Sequence, residues 1–144
     1  MPERIILLVG LPASGKSTYA ADKPTLSSDA IRKLLADDET DQTIHATVFA
    51  TLRYLLVQRL QLHRPVTYVD ATHLTRVERE PYIELARQHN AEIEAVYFDV
   101  PLELCLERNR SRTRQVPEDA ITKMAAKLQP PTEEEGFKKI LKIP

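Results

Sequence analysis

The amino-acid sequence predicts an α/β fold built on a parallel sheet. Residues 5–9 form an uninterrupted apolar run rich in β-branched side chains, which is typical of a strand buried on both faces of a parallel sheet. Residues 66–69 and 92–98 are two further strand-like segments, and segments with helical spacing lie between the strands. Because parallel strands must be joined by crossovers, this alternation indicates a sheet with helices packed on its faces.

The first half of the chain adds three helices and one short strand to this pattern. A helix can begin at Lys16, and residues 25–27 are expected to form a very short strand. Ser28 offers an N-cap for a helix over residues 29–36. Apolar side chains recur at helical spacing between residues 44 and 63, which predicts a long helix.

The second half supplies three more helices and a final strand. Thr75 and Glu78 have capping-box spacing and open a helix that runs to Asn90, a plausible left-handed terminal residue. Proline suits the first turn of a helix, which indicates helices over residues 101–110 and 117–128. Residues 139–143 favour a last strand, although a short helix over residues 133–141 fits almost as well.

Length and composition narrow the class of protein. The chain has 144 residues, 42% of them hydrophobic, which suits one domain over residues 1–144. Its net charge of −1 gives no global sign of a nucleic-acid binder. Cys105 is the only cysteine, so no internal disulfide is possible, and the first apolar run is too short for a signal peptide or a membrane span. We therefore expect a cytoplasmic protein that does not enter a membrane.

The strongest motif is the phosphate-binding loop at residues 10–17, Gly-Leu-Pro-Ala-Ser-Gly-Lys-Ser. Gly10 and Gly15 allow the backbone to approach a phosphate closely, and the helix that follows directs its positive end at it. Lys16 reaches the β- and γ-phosphates, while the Ser17 hydroxyl can bind Mg²⁺. The motif predicts a nucleotide, and the short chain without an Asn-Lys-x-Asp stretch favours a kinase over a GTPase or a large ATPase.

A candidate acceptor site follows the second and third strands. Asp29 and Arg32 share one helix face beside the phosphate loop, where a carboxylate can take a proton and an arginine can hold an anion. A helix-start aspartate with an ordinary surface partner explains the same spacing equally well. Asp70 ends the third strand, where a carboxylate commonly faces Mg²⁺ or the acceptor, and a turn-forming aspartate is the alternative.

A basic run between two predicted helices contains Arg108, Arg110, Arg112 and Arg114. Arg108 and Arg112 are four residues apart and can project from one face as a lid over the nucleotide phosphates. Such arginines stabilise the transition state of phosphoryl transfer. A solvated basic helix end is the alternative interpretation. The four histidines have no metal-binding spacing, Cys105 is expected in the core, and Glu133 to Glu135 is expected to be a solvated face or a turn.

These motifs, in this order, resemble the kinase domain of the polynucleotide 5′-kinase family, the 5′-hydroxyl end-healing enzymes of bacteriophage and bacteria. The resemblance covers almost the whole chain and rests on residues 5–18, 28–32, 70–72, 98–101, 108–109, 112 and 116–118. It implies a single P-loop kinase domain with a parallel sheet of four or five strands, adenylate-kinase-like, and an arginine-bearing lid.

The resemblance implies a role for each matching residue. Asp29 would be the general base on the 5′-hydroxyl, Arg32 would hold the acceptor strand's phosphate, Asp70 would organise the acceptor site, and Thr72 would line it. ATP, or another nucleoside triphosphate donor, would be held by Gly10, Ser14, Gly15, Lys16, Ser17, Thr18, Arg108 and Arg112, with Ser17 on Mg²⁺.

Three functions are compatible with the sequence. The first is transfer of a phosphate to the 5′-hydroxyl of RNA or DNA, with any phosphatase or ligase supplied by a separate partner. The second is a kinase for a sugar, nucleoside or antibiotic hydroxyl, which the acidic stretch at residues 37–41 would suit because acid repels a nucleic-acid backbone. The third is a nucleotide-binding regulator without catalysis, which would need the loop but not Asp29, Arg32 and two lid arginines.

Overall fold

The computed structural model describes residues 1–144 and contains one parallel sheet of five strands in the order β2-β3-β1-β4-β5. All four neighbouring pairs run parallel. The predicted parallel α/β fold is therefore confirmed, including a strand at the end of the chain. The strands are β1 (Arg4–Val9), β2 (Thr25–Ser27), β3 (Val66–Asp70), β4 (Glu92–Phe98) and β5 (Lys139–Ile143).

Six α-helices connect these strands, and most begin or end within two residues of the predicted bounds. The prediction that Ser28 caps the second helix is wrong. Ser27 has an extended backbone and its Oγ accepts a hydrogen bond from the Ala30 amide at 3.2 Å, while Ser28 is already helical. The helices are α1 (Lys16–Ala20), α2 (Ser28–Ala36), α3 (His45–Gln61), α4 (Arg76–Gln88), α5 (Leu102–Arg110) and α6 (Glu118–Lys127).

The central position of β1 in the sheet explains why its sequence is uninterrupted and apolar. Ile5, Leu7 and Val9 belong to one hydrophobic cluster, which also takes in α3 and α4. Ile6 and Leu8 belong to a second cluster on the other face, together with side chains of α1 and α5. Because both faces of the strand are buried, alternation with polar residues would leave polar groups in the core.

A 3₁₀ turn at Glu133–Glu135 precedes β5. The sequence predicts it as solvated, and for Glu135 that is wrong. The Glu135 carboxylate accepts hydrogen bonds from Nε and Nη2 of Arg79 at 2.8 and 3.0 Å, and the two side chains are 3% and 0% exposed. Arg79 also donates to the His73 carbonyl at 2.8 Å. The turn is thereby fixed to α4 from inside the protein.

The strand order brings the functional segments to one edge of the sheet. In a parallel sheet all carboxyl ends point the same way, so β1, β2 and β3 deliver the phosphate loop, the start of α2 and Asp70 to neighbouring positions. Leu8 of β1 pairs in register with Asp70, and Ser27 of β2 pairs with it from the other side. No helix combines the length and the apolar character that crossing a lipid bilayer requires.

Candidate active site

The phosphate loop turns directly from β1 into α1, as the sequence predicts. A β-carbon on Gly10 would lie 2.8 Å from Ser14 Oγ and 3.0 Å from Phe98 Cβ, so no larger residue fits without displacing the loop. Gly15 has φ of 107°, a conformation that side-chain-bearing residues rarely adopt. These two positions fix the curvature of the loop around the space where a phosphate would bind.

Lys16 lies across the loop. Its ammonium group donates to the carbonyls of Gly10 and Leu11 at 3.0 and 2.8 Å. The residue is only 7% exposed, and burial lowers the pKa of its side chain to about 8, with the nearby Asp70 carboxylate opposing that shift. The buried cation is therefore held by backbone dipoles, which a bound phosphate can replace.

Ser17 and Asp70 are in direct contact. The Ser17 hydroxyl donates to Asp70 Oδ2 at 2.9 Å, although the two residues are 53 positions apart. Mg²⁺ prefers oxygen ligands and is commonly held by one or two carboxylates together with substrate phosphates. A hydroxyl and a carboxylate side by side at the phosphate loop fit that ion, and no cluster of three or more acidic, cysteine or histidine ligands occurs in the protein.

Asp29 lies between two guanidinium groups at the start of α2. Its Oδ1 accepts from Arg32 Nη1 at 3.2 Å, and its Oδ2 accepts from Arg114 Nη2 at 2.8 Å. The Arg32 side chain is only 5% exposed, whereas about half of the Asp29 side chain is accessible. The spacing of Asp29 and Arg32 predicts their contact correctly, but the contact with Arg114 spans 85 residues and carries no local sequence signal.

The C-terminal end of α5 and the loop after it form the arginine-bearing lid. Arg108 donates to the Ser14 carbonyl of the phosphate loop at 3.4 Å, and Arg112 lines the same cleft from the loop rather than from the helix, which ends at Arg110. Arg110 points elsewhere and pairs with Glu118 at 2.8 and 2.9 Å. The lid arginines are therefore divided between the cleft and the surface.

Asn109 fixes the shape of this lid. Its side-chain amide donates to the Val116 carbonyl at 2.7 Å, and its carbonyl oxygen accepts from the Val116 amide at 2.9 Å. The residue is 1% exposed, so both ends of the amide are satisfied inside the protein. The loop from residue 111 to residue 115 is thereby closed at its base.

The acidic stretch before α3 is largely occupied by its own contacts. The carboxylates of Asp38 and Asp41 accept hydrogen bonds from Thr40 and Thr43, respectively. Glu39 instead faces Arg114, with its Oε1 3.6 Å from the arginine Nε. Of these three carboxylates, Glu39 is therefore the one that faces a residue of the acceptor side.

One cleft of about 1230 Å³ brings the candidate residues together. Gly10 lies beneath its floor, where its amide donates to the Thr72 carbonyl at 3.0 Å. Ser28 and Arg114 also line the cleft, and no sequence signal predicts them there. Arg114 belongs to the basic run, where its sequence position does not distinguish it from Arg110. The predicted residues that line it are Ser14, Gly15, Lys16, Ser17, Thr18, Asp29, Arg32, Asp70, Thr72, Arg108 and Arg112.

His73 supports the floor of this site from below. Its Nδ1 lies 2.6 Å from the Leu8 carbonyl, and its ring meets that of Tyr82 edge-on. Burial lowers the pKa of the imidazole to about 4, so the ring is neutral at neutral pH. The expectation that this histidine packs rather than binds a metal agrees with these contacts.

Comparisons with known proteins agree with this geometry. A family model described as AAA domain matches residues 5–131. The chain is 26% identical to a bifunctional polynucleotide phosphatase/kinase of Schizosaccharomyces pombe over 99% of its own length and 34% of the relative's. It is also 26% identical to an L-seryl-tRNA(Sec) kinase of Methanococcus maripaludis, over 88% of this chain and 53% of the relative.

Among solved structures, the fold is similar to a chain of the Pnkp1/Rnl/Hen1 RNA repair complex, with a TM-score of 0.74, 20% identity, and coverage of 88% of this chain and 44% of that chain. The chain thus spans about a third to a half of the curated relatives named above. The matched family model covers most of the chain, including the phosphate loop, Asp29, Asp70 and the lid. The chain therefore belongs to the AAA domain family.

Proposed function

We propose that this protein transfers the γ-phosphate of ATP to the 5′-hydroxyl of a polynucleotide, with Asp29 as the general base. The observation that carries the proposal is the position of Asp29. Its carboxylate lies in the same cleft as the phosphate loop, at a helix start, half-exposed and in contact with two guanidinium groups. A hydroxyl that reaches this carboxylate is therefore placed beside a nucleotide bound to the loop.

The donor half of the site assigns one task to each polar group. Lys16 binds the β- and γ-phosphates when it leaves the carbonyls of Gly10 and Leu11. Ser17 and Asp70 are the residues that would hold Mg²⁺, which neutralises charge on the transferred phosphoryl group. Arg108 and Arg112 neutralise the same oxygens from the lid side.

The acceptor half of the site removes one proton from the acceptor hydroxyl. The oxygen of the acceptor hydroxyl forms a bond to the γ-phosphorus, and the bond from that phosphorus to the bridging oxygen of ADP breaks. The hydroxyl proton passes to the Asp29 carboxylate. Arg32 is buried against Asp29 and fixes its orientation, which holds the base in the correct position before the acceptor binds.

Three observations support a polynucleotide as the acceptor. The residues to which the resemblance assigns a role line one cleft, with Gly10 beneath its floor, and that cleft of about 1230 Å³ is larger than a typical small-molecule pocket. A relative similar over 99% of this chain is named a polynucleotide phosphatase/kinase. Asp38 and Asp41 bond to threonines of their own loop and do not line the cleft, which weakens the objection that acid at the acceptor side repels a nucleic-acid backbone.

A hydroxyl on a smaller molecule is the second candidate. Glu39 lies 3.6 Å from Arg114, and Asp29 pairs with both Arg114 and Arg32, so much of the positive charge at the acceptor side is already matched by carboxylates. The relative named as a seryl-tRNA kinase suggests one intermediate case, a small hydroxyl carried on an RNA. A regulator without catalysis is disfavoured, because it has no need of Asp29, Arg32, Arg108 and Arg112 in one cleft.

Transfer of label from γ-labelled ATP distinguishes these functions. The acceptors are 5′-hydroxyl RNA and DNA oligonucleotides, their 5′-phosphorylated counterparts, charged and uncharged tRNA, and a panel of sugars and nucleosides. We expect label on the 5′-hydroxyl oligonucleotides alone. Label only on a small molecule or on seryl-tRNA would support the second candidate, and nucleotide binding without any transfer would support the third.

Substitution of Asp29, the proposed general base, provides the second part of this experiment. Asp29→Asn should reduce transfer by about 10²- to 10⁴-fold, the usual contribution of a general base, while ATP affinity stays near that of the wild type. Asp38→Asn is the matched control, because that carboxylate contacts only Thr40 in its own loop. A separate phosphatase or ligase partner and a single kinase domain over residues 1–144 remain predictions of the sequence.

A further inference from the structure

Arg114 is the lid residue that reaches the acceptor side of the cleft. Its Nη2 donates to Asp29 Oδ2 at 2.8 Å, while Arg32 occupies Oδ1 of the same carboxylate at 3.2 Å. Each oxygen of the proposed base therefore already accepts a charge-assisted hydrogen bond, a class roughly twice as strong as bonds between neutral groups. A carboxylate has about four acceptor sites, so an acceptor hydroxyl can still reach Asp29, but it competes with Arg114 for approach to Oδ2.

The two guanidinium groups differ in their freedom to move. The Arg32 side chain is 5% exposed, whereas that of Arg114 is 30% exposed and lies on the lid loop. A second carboxylate lies beside Arg114: the Glu39 Oε1 is 3.6 Å from the Arg114 Nε. The Glu39 Oε2 lies 3.9 Å from the Lys33 Nζ, a long ion pair that leaves the Glu39 carboxylate available to Arg114. Arg114 already contacts both carboxylates, so a small movement can shift it from Asp29 towards Glu39, whereas the buried Arg32 side chain has less room to move.

We infer that Arg114 is a positioning residue that occupies Oδ2 of Asp29 until an acceptor hydroxyl displaces it towards Glu39. The inference rests on the proposed role of Asp29 as the base, but it does not depend on which hydroxyl is the acceptor. Without an acceptor, Asp29 is hydrogen-bonded to Arg114. Binding of the acceptor breaks this hydrogen bond and frees Oδ2 of Asp29 to take the proton.

The chemical consequence concerns water. Hydrolysis of ATP at this site joins a water oxygen to the γ-phosphorus, breaks the bond to the bridging oxygen of ADP, and passes a water proton to Asp29. A water molecule competes with Arg114 through its own hydrogen bonds alone. A true acceptor brings binding energy from the rest of its structure, which offsets the displacement of Arg114. Arg114 thereby favours transfer to the acceptor over loss of the phosphate to water.

The test compares two rates in the same protein preparation: ADP formed without acceptor, and phosphorylated product formed with a 5′-hydroxyl oligonucleotide. Arg114→Ala should raise acceptor-free hydrolysis relative to transfer by roughly tenfold, the loss of one charge-assisted bond. Arg110→Ala is the matched control, because that arginine belongs to the same lid but pairs with Glu118 outside the cleft. It should leave the ratio at the wild-type value.

Two further variants separate this role from a structural one. Arg114→Lys keeps the charge and should return the ratio towards that of the wild type. Glu39→Gln removes the second position for Arg114, so the KM for the acceptor should rise by about three- to tenfold while kcat and acceptor-free hydrolysis change little. These two measurements decide the inference even if Arg114→Ala does not fold.

The outcomes distinguish this inference from the proposed function. If Arg114→Ala lowers hydrolysis and transfer equally, or leaves their ratio unchanged, Arg114 does not hold the base and the inference is overturned. The proposed phosphotransfer still stands in that case, provided that the wild type labels an acceptor and Asp29→Asn does not. If Asp29→Asn transfers at the wild-type rate, the proposed function fails instead.

Discussion

Ser17 and Asp70 join the two neighbouring strand ends on which the phosphate loop and the acceptor side are built. Ser17 is the last residue of the phosphate loop and the second residue of α1, and Asp70 is the last residue of β3. Their 2.9 Å hydrogen bond places a carboxylate directly beside the end of the phosphate loop. The end of a third strand is compatible with a role of Asp70 on Mg²⁺ or on the acceptor, and the family resemblance implies the acceptor. The contact with Ser17 favours a shared role of the two residues on Mg²⁺.

Asp70→Asn should therefore weaken the response to Mg²⁺. An amide keeps the size of the side chain and one oxygen but loses the negative charge that a divalent cation requires. We expect the half-saturating Mg²⁺ concentration to rise by about ten- to a hundredfold at fixed ATP. Titration of the phosphotransfer rate with Mg²⁺ measures this. Asp99→Asn is the control, since that carboxylate pairs with Lys142. An unchanged Mg²⁺ titration in Asp70→Asn would assign Asp70 to the acceptor alone.

ATP binding should depend on pH through Lys16. Because burial lowers the pKa of this ammonium group to about 8 in the free protein, it is charged below pH 8 and increasingly neutral above it. A bound phosphate requires the charged form, so binding above pH 8 must take up a proton. The dissociation constant of ATP should be flat below pH 8 and rise by up to about tenfold per pH unit above it.

Calorimetry with a non-hydrolysable ATP analogue between pH 6.5 and 9.5 measures this dependence. Lys16→Met should bind more weakly at every pH and lose the rise above pH 8, because no ammonium group is left to titrate. Lys23→Met should keep the wild-type profile, as Lys23 pairs with Asp22 away from the loop. A flat profile in the wild-type protein would show that Lys16 keeps its proton throughout this range.

The buried pair of Arg79 and Glu135 should matter far more for stability than its surface neighbour. Glu135→Gln leaves the Arg79 guanidinium buried without a counter-charge, which typically costs about 3–5 kcal/mol. Arg76 and Glu134 form a similar pair 3.6 Å apart on the exposed side, and Glu134→Gln should change the free energy of unfolding by no more than about 1 kcal/mol. Urea denaturation at pH 7 compares the two variants. Equal losses would mean that water reaches Arg79.

Acid should destabilise the protein through His73. Burial lowers the pKa of this imidazole to about 4 in the folded protein, whereas an unfolded histidine titrates near 6.5. Between these values the unfolded chain binds more protons, so stability falls as the pH falls from about 6.5 to 4. The loss amounts to about 3 kcal/mol.

His73→Asn should remove most of this slope, and asparagine tolerates the left-handed backbone at this position, where φ is 49°. Urea denaturation at several pH values between 4.5 and 7.5 gives the slope. His89→Asn is the control, because that residue caps the end of α4 through its backbone rather than its ring. A slope in His73→Asn equal to that of the wild type would assign the acid sensitivity to other groups.

Much of the fold is encoded in local patterns. The apolar run of residues 5–9 predicts a central strand because only a strand with helices on both sides can bury every side chain. The glycine-rich loop predicts its own curvature, since φ at Gly15 is one that few other residues adopt. Contacts between distant residues have no such signal: Glu135 looks like part of a solvated acidic turn until α4 brings Arg79 to it.

The candidate site shows the same division. Asp29 and Arg32 lie three residues apart on one helix, so their contact follows from helical geometry. Arg114 follows Arg112 in a run of alternating arginines, and its distinction from Arg110 depends on how the lid loop folds around Asn109. Sequence reasoning identified the elements that meet at the sheet edge, while the choice among similar side chains required their positions in space.

The strand order has a consequence for behaviour at high concentration. An open parallel sheet leaves two outer strands whose unpaired backbone groups invite pairing between molecules. Here the outer strand β2 has only three residues, and the other, β5, exposes Lys139 and Lys142. The short length of β2 and the positive charge on β5 both oppose aggregation through strand pairing. We therefore expect neutralisation of the two lysines to reduce the solubility of the folded protein before it affects phosphotransfer.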